Sequence, residues 1–154
     1  MPIYNRRFLD QNTKEPAPLH LGQVGPRIPV AVHVPKQLAE ALERENKPIP
    51  GGISGFALVD TGASMICVDR KVIEQLGMAP VSEANVGTAG GVQKQLVYPA
   101  MLRFPNTTMP ELNIWCLGGD FAGQGDMIAL IGRDVLSLFV LVYNGPGASI
   151  TLAY

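Results

Sequence analysis

The chain has 154 residues, of which 47% are apolar and 16% charged, with a formal net charge of -1 and an isoelectric point near 6.1. That is one domain's length with enough apolar material for a real core, far from the polar, highly charged signature of disorder. The near-neutral balance excludes the basic footprint that steers proteins onto nucleic acid or anionic membranes, and no run approaches the ~18 consecutive apolar residues of a membrane span, so peptides or small molecules are the expected partners.

Residues 1–27 carry Pro16, Pro18 and Pro26 among polar residues with no sustained period. They predict an irregular N-terminal arm, followed by a single domain over 28–154. From Ile28 to Val34 the chain is β-branched and alternating, which predicts a strand with His33 on its polar side. Gln37 to Arg44 is built from strong helix formers, with Leu38, Ala41 and Leu42 on one stripe. This gives a short amphipathic helix near 35–46, opened by Pro35 and closed by Pro48, Pro50, Gly51 and Gly52.

Ile53 to Val59 is apolar and runs into Asp60-Thr61-Gly62-Ala63-Ser64, after which Met65 to Val68 is apolar again. Strand, polar turn, strand is the expected order. Arg70 to Leu76 predicts a short helix stopped by Gly77. Val86 to Thr88, the Gly90-Gly91 turn and the alternating Leu96, Tyr98, Ala100, Leu102 and Phe104 predict a long hairpin. Leu112 to Leu117 is a further strand carrying Trp115, followed by an open loop from Gly118 to Asp126.

Met127 to Ile131 is a continuous apolar run, and Gly132-Arg133-Asp134 then opens a short helix from Val135 to Leu138. Phe139 to Tyr143 and Ala148 to Ala153 are strands separated by the turn Asn144-Gly145-Pro146-Gly147. The total is mostly strand with two or three short helices, the mark of a small β-barrel or sandwich. Cys67 and Cys116 match no zinc or redox spacing and have apolar neighbours, as expected of two buried thiols in a reducing cytoplasm. Asp120 and Asp126 are too few for a hard-cation site, so neither metal nor cofactor is expected.

Two segments stand out: Phe56-Ala57-Leu58-Val59 ending in Asp60-Thr61-Gly62-Ala63-Ser64, and Ile128-Ala129-Leu130-Ile131 ending in Gly132-Arg133-Asp134. Alone, an Asp-Thr-Gly triplet is as easily an ordinary turn. In this order, each behind an apolar strand and with a Gly-Gly hairpin between them, the pair resembles the retropepsin family from about Ile53 to Leu152. The resemblance implies a small closed β-barrel of the acid protease type and aspartic endopeptidase activity on extended peptides, in a homodimer. It places Asp60, Thr61 and Gly62 at the catalytic centre and Ala63 against the substrate. It makes Thr88, Ala89, Gly90 and Gly91 the tip of a flap over bound peptide. Leu130, Ile131, Gly132, Arg133 and Asp134 become its structural support.

The chemistry explains the need for two copies. Cutting a peptide bond without a metal or covalent intermediate requires one group to take a proton from water while another gives one to the carbonyl oxygen. Two carboxylates held about 3 Å apart share one proton and do both. The chain has one Asp-Thr-Gly, so a two-fold mate must supply the second. There are departures from the family pattern. Ser64 and Met65 stand where viral members carry an acidic partner for the arginine, which leaves Arg133 with Asp69 or a backbone carbonyl. The residues before Ile28 and the helix near 35–46 are additions to a minimal retropepsin, and the strand from Ser149 to Ala153 is the candidate for the interleaved sheet through which family members typically dimerise. A non-catalytic peptide-binding or dimerisation module on the same barrel is the alternative reading.

Overall fold

The computed structural model describes residues 1–88 and 90–154. Its elements in chain order are β1 (Ile3–Arg7), α1 (Pro18–Val24), β2 (Arg27–His33), α2 (Lys36–Arg44), β3 (Ile53–Val59), β4 (Cys67–Asp69) and α3 (Arg70–Gln75). They continue with β5 (Ser82–Thr88), β6 (Gly91–Arg103), β7 (Leu112–Gly119), β8 (Met127–Ile131), α4 (Arg133–Leu136), β9 (Val140–Asn144) and β10 (Ser149–Ala153).

Alternation of buried apolar and outward residues makes the central strands. In β2 the side chains of Ile28, Val30 and Val32 are wholly buried, and in β8 Met127, Ala129 and Ile131 point in while Ile128 and Leu130 are half-buried. The strands run β2-β3-β8-β4-β7-β6, and β6 returns to pair with β2 through Ala31↔Arg103, Val32↔Leu102 and His33↔Met101. The sheet thereby closes into a six-stranded barrel, which removes the edges an open sheet would expose. Its interior is filled by Ile28, Val30, Val32, Ala57, Ile66, Val68, Leu102 and Ala129, each fully buried. The fold is mostly β, a closed barrel, as the strand pattern of the sequence leads one to expect.

β5 lies outside the ring as the outer strand of a hairpin. β6 has 13 residues; its first half pairs with β5 from Gly91 to Val97 and its second with β7 from Val97 to Leu102. Among the described residues, four short helices pack around the barrel. α2 has no fully buried side chain and rests on the barrel through Leu38 and Ala39, with Ala41 and Leu42 half-buried beside them. Between it and β6 and β7 lies a cleft of about 480 Å³ lined by Pro35, Leu38, Pro99, Ile114 and the exposed Trp115.

The residues expected to be irregular, 1–27, hold β1 and α1 instead. β1 pairs antiparallel with β10 from Ile3↔Ala153 to Arg7↔Ser149, and β9 pairs with the other side of β10, making a separate three-stranded sheet in the order β1-β10-β9. Burial of Ile150 and Leu152 on its inner face anchors this sheet to the core. Because β10 has neighbours on both sides, Ser149–Ala153 offers no free edge to a second chain. Among the described residues, no helix is long and apolar enough to cross a membrane.

Candidate active site

β3 carries Asp60 to the end of the barrel. Val59 pairs in parallel with Ile131 of β8, and the Asp60 N–H extends that ladder by donating to the Ile131 carbonyl at 3.0 Å. The chain then turns sharply, with the Ala63 N–H donating to the Asp60 carbonyl at 3.2 Å and the Gly62 N–H to Asp60 Oδ1 at 2.8 Å. An aspartate that accepts from the amide two residues on closes an Asx turn. One carboxylate oxygen is thereby fixed. Asp60 is half-buried, whereas Thr61 and Gly62 are exposed.

The topology forces the second motif against the first. β8 lies between β3 and β4, so the connection from Asp60 to Ile66 must cross the end of β8, where Gly132 begins α4. The two segments zip together: the Arg133 N–H donates to the Ala63 carbonyl at 3.0 Å and the Asp134 N–H to the Ser64 carbonyl at 3.3 Å. Asp134 Oδ2 accepts from the Ile66 N–H at 3.0 Å and its Oδ1 from the Val135 N–H at 2.9 Å. Arg133 Nη1 donates to the carbonyls of Thr61 and Gly62, both at 2.9 Å. Of the two partners left open for Arg133, the backbone carbonyls are the ones it meets. Asp69 is occupied as the N-cap of α3, accepting from the Lys71 N–H at 2.9 Å.

Gly132 sits where no side chain fits. A Cβ there would lie 2.5 Å from the Met65 carbonyl carbon and 2.6 Å from its oxygen, both rigid backbone atoms. The parts Met65 and Ile66 play here were not legible in the sequence, because both act through backbone groups and residue type carries no signal for that.

The structure thus brings Asp60, Thr61, Gly62 and Ala63 together with Ile131, Gly132, Arg133 and Asp134, while Leu130 stands half-buried in β8 behind them. The hairpin tip is a separate, exposed cluster. Thr88 Oγ1 donates to the Gly91 carbonyl at 2.9 Å and accepts from the Gly90 N–H at 3.3 Å. Ala89, expected beside them, lies outside the described residues. Among the described residues no group of three or more His, Cys, Asp or Glu side chains gathers as metal ligands. Asp120 Oδ1 accepts from the Ala122 N–H at 2.9 Å, and Asp126 faces Arg27 at 4.0 Å.

Two thiols lie in the same part of the barrel, on β4 and β7. Burial, with help from Asp69 and against Arg70, pushes the Cys67 thiol up to about 11. Burial also pushes Cys116 up, to about 12, with Cys67 adding to it. Native protein at pH 8.5 is therefore expected to react with iodoacetamide far more slowly than chain unfolded in guanidinium, since only the thiolate is the nucleophile. The sign for stability follows. The unfolded chain releases these protons near the ordinary thiol value of 9.0 while the folded chain keeps them, so this contribution is whole below pH 9 and lost between about 9 and 11–12. Labelling followed by mass spectrometry, with a thermal melt across that window, checks both; equal labelling rates in native and unfolded protein would count against buried thiols.

A family model described as "gag-polyprotein putative aspartyl protease" matches residues 49–137, and the chain belongs to that family. The family is that of retropepsin-like aspartic proteases. Among solved structures, a retropepsin-like aspartic protease from Rickettsia conorii aligns with 99% of this chain and 93% of its own, at 14% identity and a TM-score of 0.47. The EIAV protease, in complex with an inhibitor, aligns with 55% of this chain and 75% of its own, at 18% identity and a TM-score of 0.40. No curated protein matches the chain in sequence.

Proposed function

We propose that two copies of this chain form an aspartic endopeptidase, each contributing Asp60 to one catalytic pair. The observation that carries this reading is the Asp60-Thr61-Gly62 turn itself. It is fastened from beneath by Gly132, Arg133 and Asp134, yet its Thr61 and Gly62 face solvent in the single chain. A turn so heavily supported and left open on one side is half of a site.

In the dimer one carboxylate is ionised and takes a proton from water as that water attacks the peptide carbonyl. The other is protonated and donates to the carbonyl oxygen, and the roles reverse as the amine leaves. Thr61 lies on the exposed side of the turn, where its hydroxyl can both donate to and accept from the mate. Ala63 leaves room for substrate backbone. The β5–β6 hairpin, with Thr88, Gly90 and Gly91 at its tip, closes over a peptide that binds extended, as an added strand. Both cysteines are free thiols, and a reducing cytoplasm is the compartment in which they stay so.

The test is cleavage of a peptide library at mildly acidic pH over a range of protein concentrations, with sedimentation alongside. Activity per chain is expected to rise with concentration and to track the dimer. Cleavage by a species that sediments as a monomer would overturn the shared site, and a dimer that cuts nothing in the library would favour the binding module.

A further inference from the structure

β3 turns one face into the barrel, through the buried Ala57 and Val59, and the other outward, through Phe56, Leu58 and Asp60. These three side chains stand in a row, with Phe56 about 13 Å of strand away from Asp60. Leu58 fills the middle of the row, and Gly25 crosses over it with φ at +75°; a Cβ at Gly25 would lie 2.6 Å from Leu58 Cδ1. At the far end of the row is a pocket of about 310 Å³ lined by Arg6, His20, Val24, Arg27, Phe56 and Asp126. Four of these precede Ile28, among the residues added to a minimal retropepsin, so the pocket is no part of the minimal barrel.

The cations of this pocket are fixed by the fold. The Arg6 guanidinium lies 4.8 Å from the Phe8 ring centre and 4.6 Å from that of Phe56, and it donates to the Arg27 carbonyl at 2.9 Å. Two rings and one backbone bond hold it in a single orientation. Among the described residues no carboxylate pairs with it, although a guanidinium has five N–H groups to place.

Arg27 is tied by its Nε to the Val24 carbonyl at 2.9 Å, and its Nη1 faces Asp126 Oδ1 at 4.0 Å. That is the outer limit of an ion pair, and the Asp126 side chain is 67% exposed, so the pair is weak and easily opened. Two guanidiniums against one exposed carboxylate leave the pocket positive. Arginine's planar fork suits it to a carboxylate bound through two N–H groups.

We propose that this pocket takes an acidic side chain of the peptide that lies over the Asp60 turn, with its carboxylate held by Arg6 and Arg27. The inference rests on the reading of that turn as the place where peptide binds, and it adds a preference to it. A peptide running along the row meets the apolar Leu58 first and the two arginines beyond it. An extended chain advances about 3.3 Å per residue, so the acidic position is about four residues from the bond above Asp60.

The test uses matched peptides carrying glutamate or glutamine about three to five residues to either side of the central bond, a span set by the rise of an extended chain. They are offered at about pH 6, where glutamate is ionised. Cleavage by wild type is read beside retention of the same peptides on immobilised Asp60→Asn protein. Glutamate peptides are expected to be cut and retained at least about 10-fold better than their glutamine partners, the effect of one charge-assisted hydrogen bond. Arg6→Met/Arg27→Gln is expected to erase the difference. It is also expected to vanish in wild type at about pH 3.5, where the peptide carboxylate is mostly protonated and both arginines stay charged. Arginines that served the fold alone would give no such pH response.

Equal cutting and equal retention of the two series overturns the pocket and leaves the chemistry of Asp60 standing. Glutamate peptides retained in preference but never cut overturn the protease reading and uphold the pocket. A glutamate preference that survives in the double variant overturns the assignment to Arg6 and Arg27. Excess succinate, a free dicarboxylate, is expected to weaken the glutamate peptides alone; if it slows both series equally, the pocket serves a free anion and the substrate role falls. Should the double variant misfold, the wild-type ratio at the two pH values decides.

Discussion

Asp60→Asn is expected to abolish peptide cleavage and leave the dimer and the fold as they are. The amide keeps an oxygen that accepts from the Gly62 N–H, so the 2.8 Å contact that closes the turn survives, as do the Arg133 bonds to Thr61 and Gly62. What disappears is the ionisable group that, in the proposed dimer, stands on both sides of the dyad. An asparagine pair neither takes a proton from water nor gives one to the carbonyl, and general acid and base each contribute about 10²–10⁴-fold, so the rate should fall by about 10³-fold or more. Steady-state cleavage, sedimentation and a chemical melt on the same preparation separate the three readouts. A variant that cuts at the wild-type rate removes Asp60 from the chemistry, whatever its assembly.

Gly132→Ala should cost more in stability than any other single methyl group added near the site. Its Cβ would fall 2.5–2.6 Å from the Met65 carbonyl group and 2.9 Å from the Met65 nitrogen, and these nearest atoms are backbone rather than the end of a flexible side chain that could move away. Overpacking a filled site typically costs about 1–3 kcal/mol, and backbone contact puts this case at the upper end. The strain also pushes the 60–66 connection off β8, lengthening the bonds from Arg133 and Asp134 to Ala63 and Ser64. Cleavage is therefore expected to drop with stability, in contrast to Asp60→Asn, where the two part company. Urea denaturation and cleavage of Gly132→Ala check this; a variant as stable and active as wild type would mean that Met65 is not held against position 132.

Most of the barrel was legible because its strands are locally consistent. Ile53–Val59 is a strand with the expected bounds, and β2, β6, β8 and α2 fall within a residue or two of theirs. The N-terminal residues were not legible, for a physical reason. Alternation is read from apolar side chains, but the inward positions of β1 are Tyr4 and Arg6, and Arg6 reaches the interior by stacking its guanidinium over two phenylalanine rings. A strand whose inward residue is an arginine looks polar throughout. α1 was missed because it is one short turn-rich segment with only Leu21 buried, although Pro18 at its start is a residue that favours helix beginnings.

At the site, residue type announced the Asp60 turn and the Gly-Arg-Asp segment, but not what joins them. The Ile66 N–H meets Asp134 across 68 positions of chain, and the Ala63, Ser64 and Met65 contacts are all backbone. Such contacts follow from β8 lying between β3 and β4, and strand order is not written in local pattern. The partner of Arg133 was open for the same reason, since every residue carries a carbonyl and proximity alone selects those of Thr61 and Gly62.

β6 belongs at once to the barrel and to the hairpin, and the two halves meet at Val97, which pairs with Ser82 on one side and Leu117 on the other and is 5% exposed. A continuous strand gripped at that point behaves as a lever on a fulcrum. Any swing of the hairpin tip bends β6 near Val97, so under the proposed function the ease with which a substrate enters is set by the stiffness of that strand, far from the residues the substrate would touch.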